Sequence, residues 1–231
     1  MRFLLLAAIF YCSINTSIAN VIINGTRVIY PSNSKDVVVQ LVNNSDEPAL
    51  VQSWIDNGDI NSTPETSQAP FLLSPPVVKV TRGGGQQLRI TKIKNNLHED
   101  RESIFYLNVL DIPPVPETVQ GKNTLQLAIK SRIKLIVRPE SLTDGVEKNI
   151  KNLSIGSEGD RLRLTNKSPY FISIANIEDT RSRNMLRESV MIAPFSELYV
   201  PAINMAKKEE KLKLIFVDDL GAYRKQAFTL H

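Results

Sequence analysis

The sequence predicts an all-β fold in two consecutive sandwich domains, and three observations carry that prediction. Short runs rich in β-branched and aromatic residues recur at intervals of roughly ten residues, with Asn, Asp, Gly, Ser and Pro between them. No stretch holds a convincing helical period, and there is no repeat of fixed length. A Pro-led interruption from Pro139 to Gly145 separates the long first series of strands from a second one.

Taken in order, residues 1–19 stand apart. Arg2 is followed by an apolar run from Phe3 to Cys12 and by Ser17-Ile18-Ala19, with small residues at −3 and −1 of a cut after Ala19. That is the pattern of an export leader. Its apolar run is about half the ~20 residues of a spanning helix, so no stable membrane anchor is expected. The first domain is then 20–139, with strands over 36–43, 49–55, 77–80, 86–93 and 103–110. Ser74-Pro75-Pro76 marks a turn with a candidate cis bond, and Arg82-Gly83-Gly84-Gly85 marks another. Residues 140–145 read as a linker. The second domain, 146–231, carries strands over 160–165, 170–177, 197–200, 211–218 and 223–230.

The longest strand signal runs from Thr124 to Arg138. At about 3.3 Å per residue it would span on the order of 45 Å, more than a small sandwich needs. The sequence therefore predicts either a bulge or a projecting part that pairs elsewhere. The apolar row Leu125, Leu127 and Ile129 opens it, after a Pro-rich loop from Pro113 to Asn123, while Lys130, Arg132 and Lys134 alternate with that row. In isolation such a row most simply faces the core. An exposed apolar edge, however, is a hazard unless it adds itself to another protein's sheet.

Composition narrows the functions. With 42% hydrophobic and 23% charged residues the chain is of ordinary globular type. A formal net charge of +4 is too small to indicate a nucleic-acid binder. The single cysteine, Cys12, falls in the leader, so neither a disulfide scaffold nor a Cys-based metal site is expected. The histidines are His98, in a polar stretch, and His231, the last residue. Catalysis by a Ser-His-Asp set would rest on His98 alone. Neither an enzyme nor a cofactor or metal is expected.

Three ordered segments resemble a known family. Asp100-Arg101-Glu102-Ser103-Ile104-Phe105-Tyr106-Leu107-Asn108, Asp111-Ile112-Pro113-Pro114 and Ile133-Lys134-Leu135-Ile136-Val137-Arg138-Pro139 are similar to motifs of periplasmic pilus-assembly chaperones of the PapD type, across essentially the whole mature chain. The resemblance implies two immunoglobulin-like sandwiches in an L-shaped arrangement, periplasmic location, and donation of a strand to pilus or fimbrial subunits on their way to an outer-membrane usher. It also implies roles for single positions. Arg27 and Lys134 match a cleft pair that anchors a subunit's C-terminal carboxylate. Leu125, Leu127 and Ile129 match the donated row. Glu102, Arg138 and Asp219 match an interdomain salt-bridge network, with Asp219 preferred to Asp218 for its spacing before Leu220-Gly221. The loop to Asn123 is short, which resembles the branch serving rod-like fibres. The same edge is open to a second copy of the chain.

Two other classes compete. Asn24, Asn43, Asn61, Asn152 and Asn166 head Asn-x-Ser/Thr triplets, which in a eukaryotic secretory pathway would be glycan acceptors and would suit a secreted Ig-like adhesin or receptor. An antibody-type domain, however, would flank Trp54 with cysteines that are missing here. A hydrolase would need His98.

Overall fold

The structure is a computed structural model that describes residues 21–93, 97–115, 125–204 and 207–230; the leader and most of the Pro113–Asn123 loop lie outside these. The first part contains β1 (Val21–Ile23), β2 (Arg27–Pro31), β3 (Asp36–Asn43), β4 (Ala49–Asp56), β5 (Phe71–Ser74), β6 (Val77–Val80), β7 (Gly85–Lys92), β8 (Ser103–Ile112) and β9 (Ile129–Arg138). They form a four-stranded sheet, β1-β3-β7-β5, and a five-stranded sheet, β2-β9-β8-β4-β6. All pairings are antiparallel except β2 with β9. The Ser74–Pro75 bond is cis.

Strand periodicity builds the core between the sheets. On β7, Leu88 and Ile90 turn inward and are fully buried, while Gln87 and Arg89 alternate with them. They meet Tyr30, Leu41, Leu107 and Leu135 from β2, β3, β8 and β9. Phe71 adds edge-on contact with Phe105, centroids 5.0 Å apart.

The second part has β10 (Leu153–Glu158), β11 (Arg161–Asn166), β12 (Ile172–Glu178), β13 (Val190–Ile192), β14 (Ser196–Pro201), β15 (Lys211–Val217) and β16 (Tyr223–Thr229). These make sheets β10-β11-β14 and β13-β12-β15-β16. Ile155, Leu162, Leu164, Ile172, Ile174 and Ile177 fill a second, separate core.

Two expectations need correction. A short helix, α1 (Gly145–Asn149), continues into a 3₁₀ turn over Ile150–Asn152, where no helix was expected. Five residues are too few to leave a periodic signal; α1 forms because Val146 and Ile150 anchor it in the second core. The long strand is also shorter than its pattern. β9 begins at Ile129, not at Thr124. Its partner β8 ends at Ile112, and the next two residues, Pro113 and Pro114, have no N–H to extend a ladder. Leu125 and Leu127 thus lie ahead of the strand rather than in it.

Two of the triplet asparagines also acquire a structural role. Asn43 and Asn166 are wholly buried. Each accepts the N–H and hydroxyl of the serine two residues on, and each donates its amide to backbone carbonyls, Asn43 to Glu47 and Val80, Asn166 to Tyr170 and Ala193. The two domains thus use the same turn at the end of a strand, and neither amide is free to carry a glycan.

Candidate functional site

From Lys134 to Val137, β9 is flanked on both sides, by β8 and by β2. From Ile129 to Ile133 it pairs with β8 only, so its other edge is uncovered among the described residues. Leu125, Leu127 and Ile129 lead into that edge and are 85%, 66% and 49% exposed. They are not sealed in their own molecule. Gln126 Nε2 ties the lead-in back to the Pro113 carbonyl at 2.6 Å.

The basic residues that alternate with this row are held down by partners. Arg132 makes a two-pronged bond to Asp56 (Nε to Oδ2, 3.1 Å; Nη2 to Oδ1, 2.6 Å) and lies 3.6 Å over the Tyr106 ring. Asn108 Nδ2 donates to the same carboxylate at 2.6 Å. Lys130 Nζ reaches the Ile60 carbonyl at 2.8 Å and lies 5.9 Å from the Trp54 ring. The Asp56 side chain is almost completely buried. Burial pushes its pKa up, but the bonds from Arg132, Asn108 and the Gly58 N–H outweigh that and hold it below the usual carboxylate range. Sequence reasoning missed Asp56; its only signal was an acid closing an apolar strand.

Where β2 and β9 run side by side, register sets Arg27 next to Lys134. Both face the second domain. Arg27 Nη1 donates to the Val217 carbonyl at 3.3 Å and its Nε is buried without a partner, while Lys134 Nζ donates to Ser173 Oγ at 3.0 Å. Burial pulls both pKa values down; for Lys134 the neighbouring Arg27 charge adds to the effect, and for Arg27 the acids Asp219, Asp218 and Glu102 oppose it. Two adjacent, partly dehydrated cations therefore share this notch with only neutral oxygens as partners among the described residues. The arrangement is suited to an incoming carboxylate.

Beside the notch, Arg138 bridges the two domains. Nε and Nη2 bond Glu102 Oε1 at 2.8 and 2.7 Å; Nη1 and Nη2 bond Asp219 at 2.7 and 2.8 Å. Glu102 Oε2 accepts the Phe171 N–H at 2.7 Å. Burial disfavours the charged guanidinium, yet the Asp219 bonds and both acids outweigh it and raise the Arg138 pKa. Burial pushes Glu102 up, against the pull of Arg138. Asp218 is engaged elsewhere, with Arg224 and the Ala222 N–H. Two glycines permit the close approach. A Cβ on Gly145, at φ +70°, would come within 2.8 Å of Asp219 Oδ2, and one on Gly221, at φ +87°, would overlap the Thr26 hydroxyl.

Comparison with known proteins shows the family. Residues 20–143 match the family model described as pili and flagellar-assembly chaperone, PapD N-terminal domain, and residues 148–228 match that of the pili assembly chaperone PapD, C-terminal domain. The chaperone protein MrkB of Klebsiella pneumoniae is 38% identical over 222 residues, covering 93% of this chain and 94% of MrkB. The chaperone protein HifB of Haemophilus influenzae is 38% identical over 225 residues, covering 95% and 92%. Among solved structures, the Pseudomonas aeruginosa CupB2 chaperone superposes with a TM-score of 0.78 at 31% identity, covering 91% of this chain and all of the other. A chain of the Salmonella enterica SafA pilin–SafB chaperone complex superposes at 0.80 with 25% identity, covering 94% and 99%. With family models over both halves and relatives matched along nearly their full length, the chain belongs to the PapD family of pilus-assembly chaperones, with two immunoglobulin-like domains.

Proposed function

We propose that this chaperone captures pilus or fimbrial subunits in the periplasm after its leader is cut at Ala19, completes their fold with the Leu125–Ile129 segment and the open edge of β9, and passes them to an outer-membrane usher. One observation carries the reading: an exposed apolar row runs into a strand edge that, among the described residues, is unpaired and ends at two cations bonded only to neutral oxygens. Backbone pairing along β9 supplies main-chain bonds. Each aliphatic buried in a subunit groove contributes about 1.5–3 kcal/mol before ordering costs. The carboxylate at Arg27 and Lys134 fixes register, because it can meet both cations in one position only. Glu102, Arg138 and Asp219 hold the domains that form the notch.

The test is co-purification of a tagged subunit from periplasmic extract. Arg27→Ala or Lys134→Ala is expected to reduce complex recovery roughly ten- to hundredfold, the loss of one charge-assisted bond. Full recovery with both variants would refute the anchor. A Leu127→Asp chaperone that still captured subunits would refute strand donation.

A further inference from the structure

The turn between β13 and β14 holds a residue in a backbone conformation that its type avoids. Phe195 sits at φ +50°, the second central residue of a turn led by Pro194. Glycine or asparagine is the usual occupant of such a position, and a bulky aromatic at positive φ is a genuine outlier. An outlier of this kind persists where the surrounding groups over-determine it. Main-chain groups fix the turn itself. The Phe195 N–H donates to the Ser168 carbonyl at 3.2 Å, and Asn166 Nδ2 and Ser196 Oγ each donate to the Ala193 carbonyl at 2.8 Å. None of these bonds uses the ring. Phe195 stands outside the second core and is 49% exposed, so packing within its own domain does not account for it. What the ring meets is the first domain. The Arg101 guanidinium lies over it, 5.4 Å from the centroid, and is itself held by a two-pronged bond to Asp100, both distances 3.0 Å. Glu102, next along the chain, bonds the adjoining turn: its N–H donates to the Pro169 carbonyl at 3.0 Å, and its carboxylate accepts the Phe171 N–H at 2.7 Å.

We propose that Phe195 is a positioning residue for the angle between the domains: it keeps a costly backbone conformation so that its ring seats Arg101 and resists rotation about the Glu102–Arg138 link. Bonds gathered on one or two side chains let the bodies they join pivot, and a further contact beside them restricts that freedom. The same angle brings Val217 and Ser173 up to Arg27 and Lys134. The consequence for subunit capture therefore rests on the function proposed above, whereas the positioning role does not.

Spin labels on Gln87→Cys and Arg163→Cys, exposed positions in the first and second domains, report the interdomain distance in the free purified protein by pulsed electron resonance. Phe195→Gly removes ring and strain together. It is expected to leave the thermal midpoint unchanged or raised and to broaden the distance distribution. Phe195→Tyr, which keeps the ring, is expected to retain the wild-type width. Arg101→Gln is expected to broaden it as much as Phe195→Gly does, with no further broadening in the double variant. An unchanged width in Phe195→Gly, or a lowered midpoint without broadening, overturns the proposal. Recovery of a tagged subunit is expected to fall about two- to fivefold with Phe195→Gly, the loss of one exposed cation–π contact. Full recovery despite broadening overturns the dependence of capture on the angle and leaves the positioning role established, because the distances are read without any subunit.

Discussion

Lys134 illustrates at the scale of one residue how the proposed subunit site is kept incomplete. In the free chaperone its ammonium is partly dehydrated, faces Arg27, and has a serine hydroxyl as its partner. Such a charge costs stability until an anion arrives. Lys134→Met is therefore expected to leave the thermal midpoint of the free protein unchanged or raised, while subunit capture collapses; differential scanning fluorimetry beside co-purification measures both. Asp56 is the opposite case, an acid whose interactions are already complete. Asp56→Asn is expected to cost about 1.5–3 kcal/mol at neutral pH. Because the folded pKa of Asp56 is depressed, its contribution is fully present above the unfolded carboxylate value and is lost as pH falls through the folded one. The gap between wild type and variant in urea unfolding should accordingly narrow below about pH 4.

β9 performs two tasks along its length. Its C-terminal half is buried between β2 and β8 and supplies Leu135 and Val137 to the core. Its N-terminal half has, among the described residues, one neighbour and one open edge. An unpaired half-strand would be prone to fray, and the ties of Lys130 to Ile60 and Arg132 to Asp56 and Tyr106 hold it flat from one face. Leu127 precedes this half and is mostly exposed, so Leu127→Asp should shift the stability of the free protein by no more than about 0.5 kcal/mol. A larger loss in chemical unfolding would mean that the residue belongs to the protein's own core.

Across the whole molecule, Arg138 links two otherwise separate cores through Glu102 on one side and Asp219 on the other. The Glu102 side chain is 1% exposed and that of Asp219 is 31%. Arg138→Met strands a buried acid and is expected to cost about 3–5 kcal/mol. Asp219→Asn, partly in water, should cost no more than about 1 kcal/mol. Calorimetry of Arg138→Met should also resolve two unfolding transitions where the wild type shows closer coupling. Gly145→Ala, forced to a positive φ against Asp219, should resemble a mild form of the same defect.

The sequence by itself determined the all-β class and most strands, because side chains alternate with period two and turn residues punctuate them. Its resemblance to a known family also pointed to Arg27, Lys134, Glu102, Arg138 and Asp219, and a resemblance places residue types but not contacts. Only the tertiary structure decided where β9 starts, since that depends on where β8 runs out of N–H donors. The same holds for the Asp56 network and for the buried Asn43 and Asn166 turns. Each depends on which groups from distant parts of the chain share a dehydrated space, and no local pattern records that.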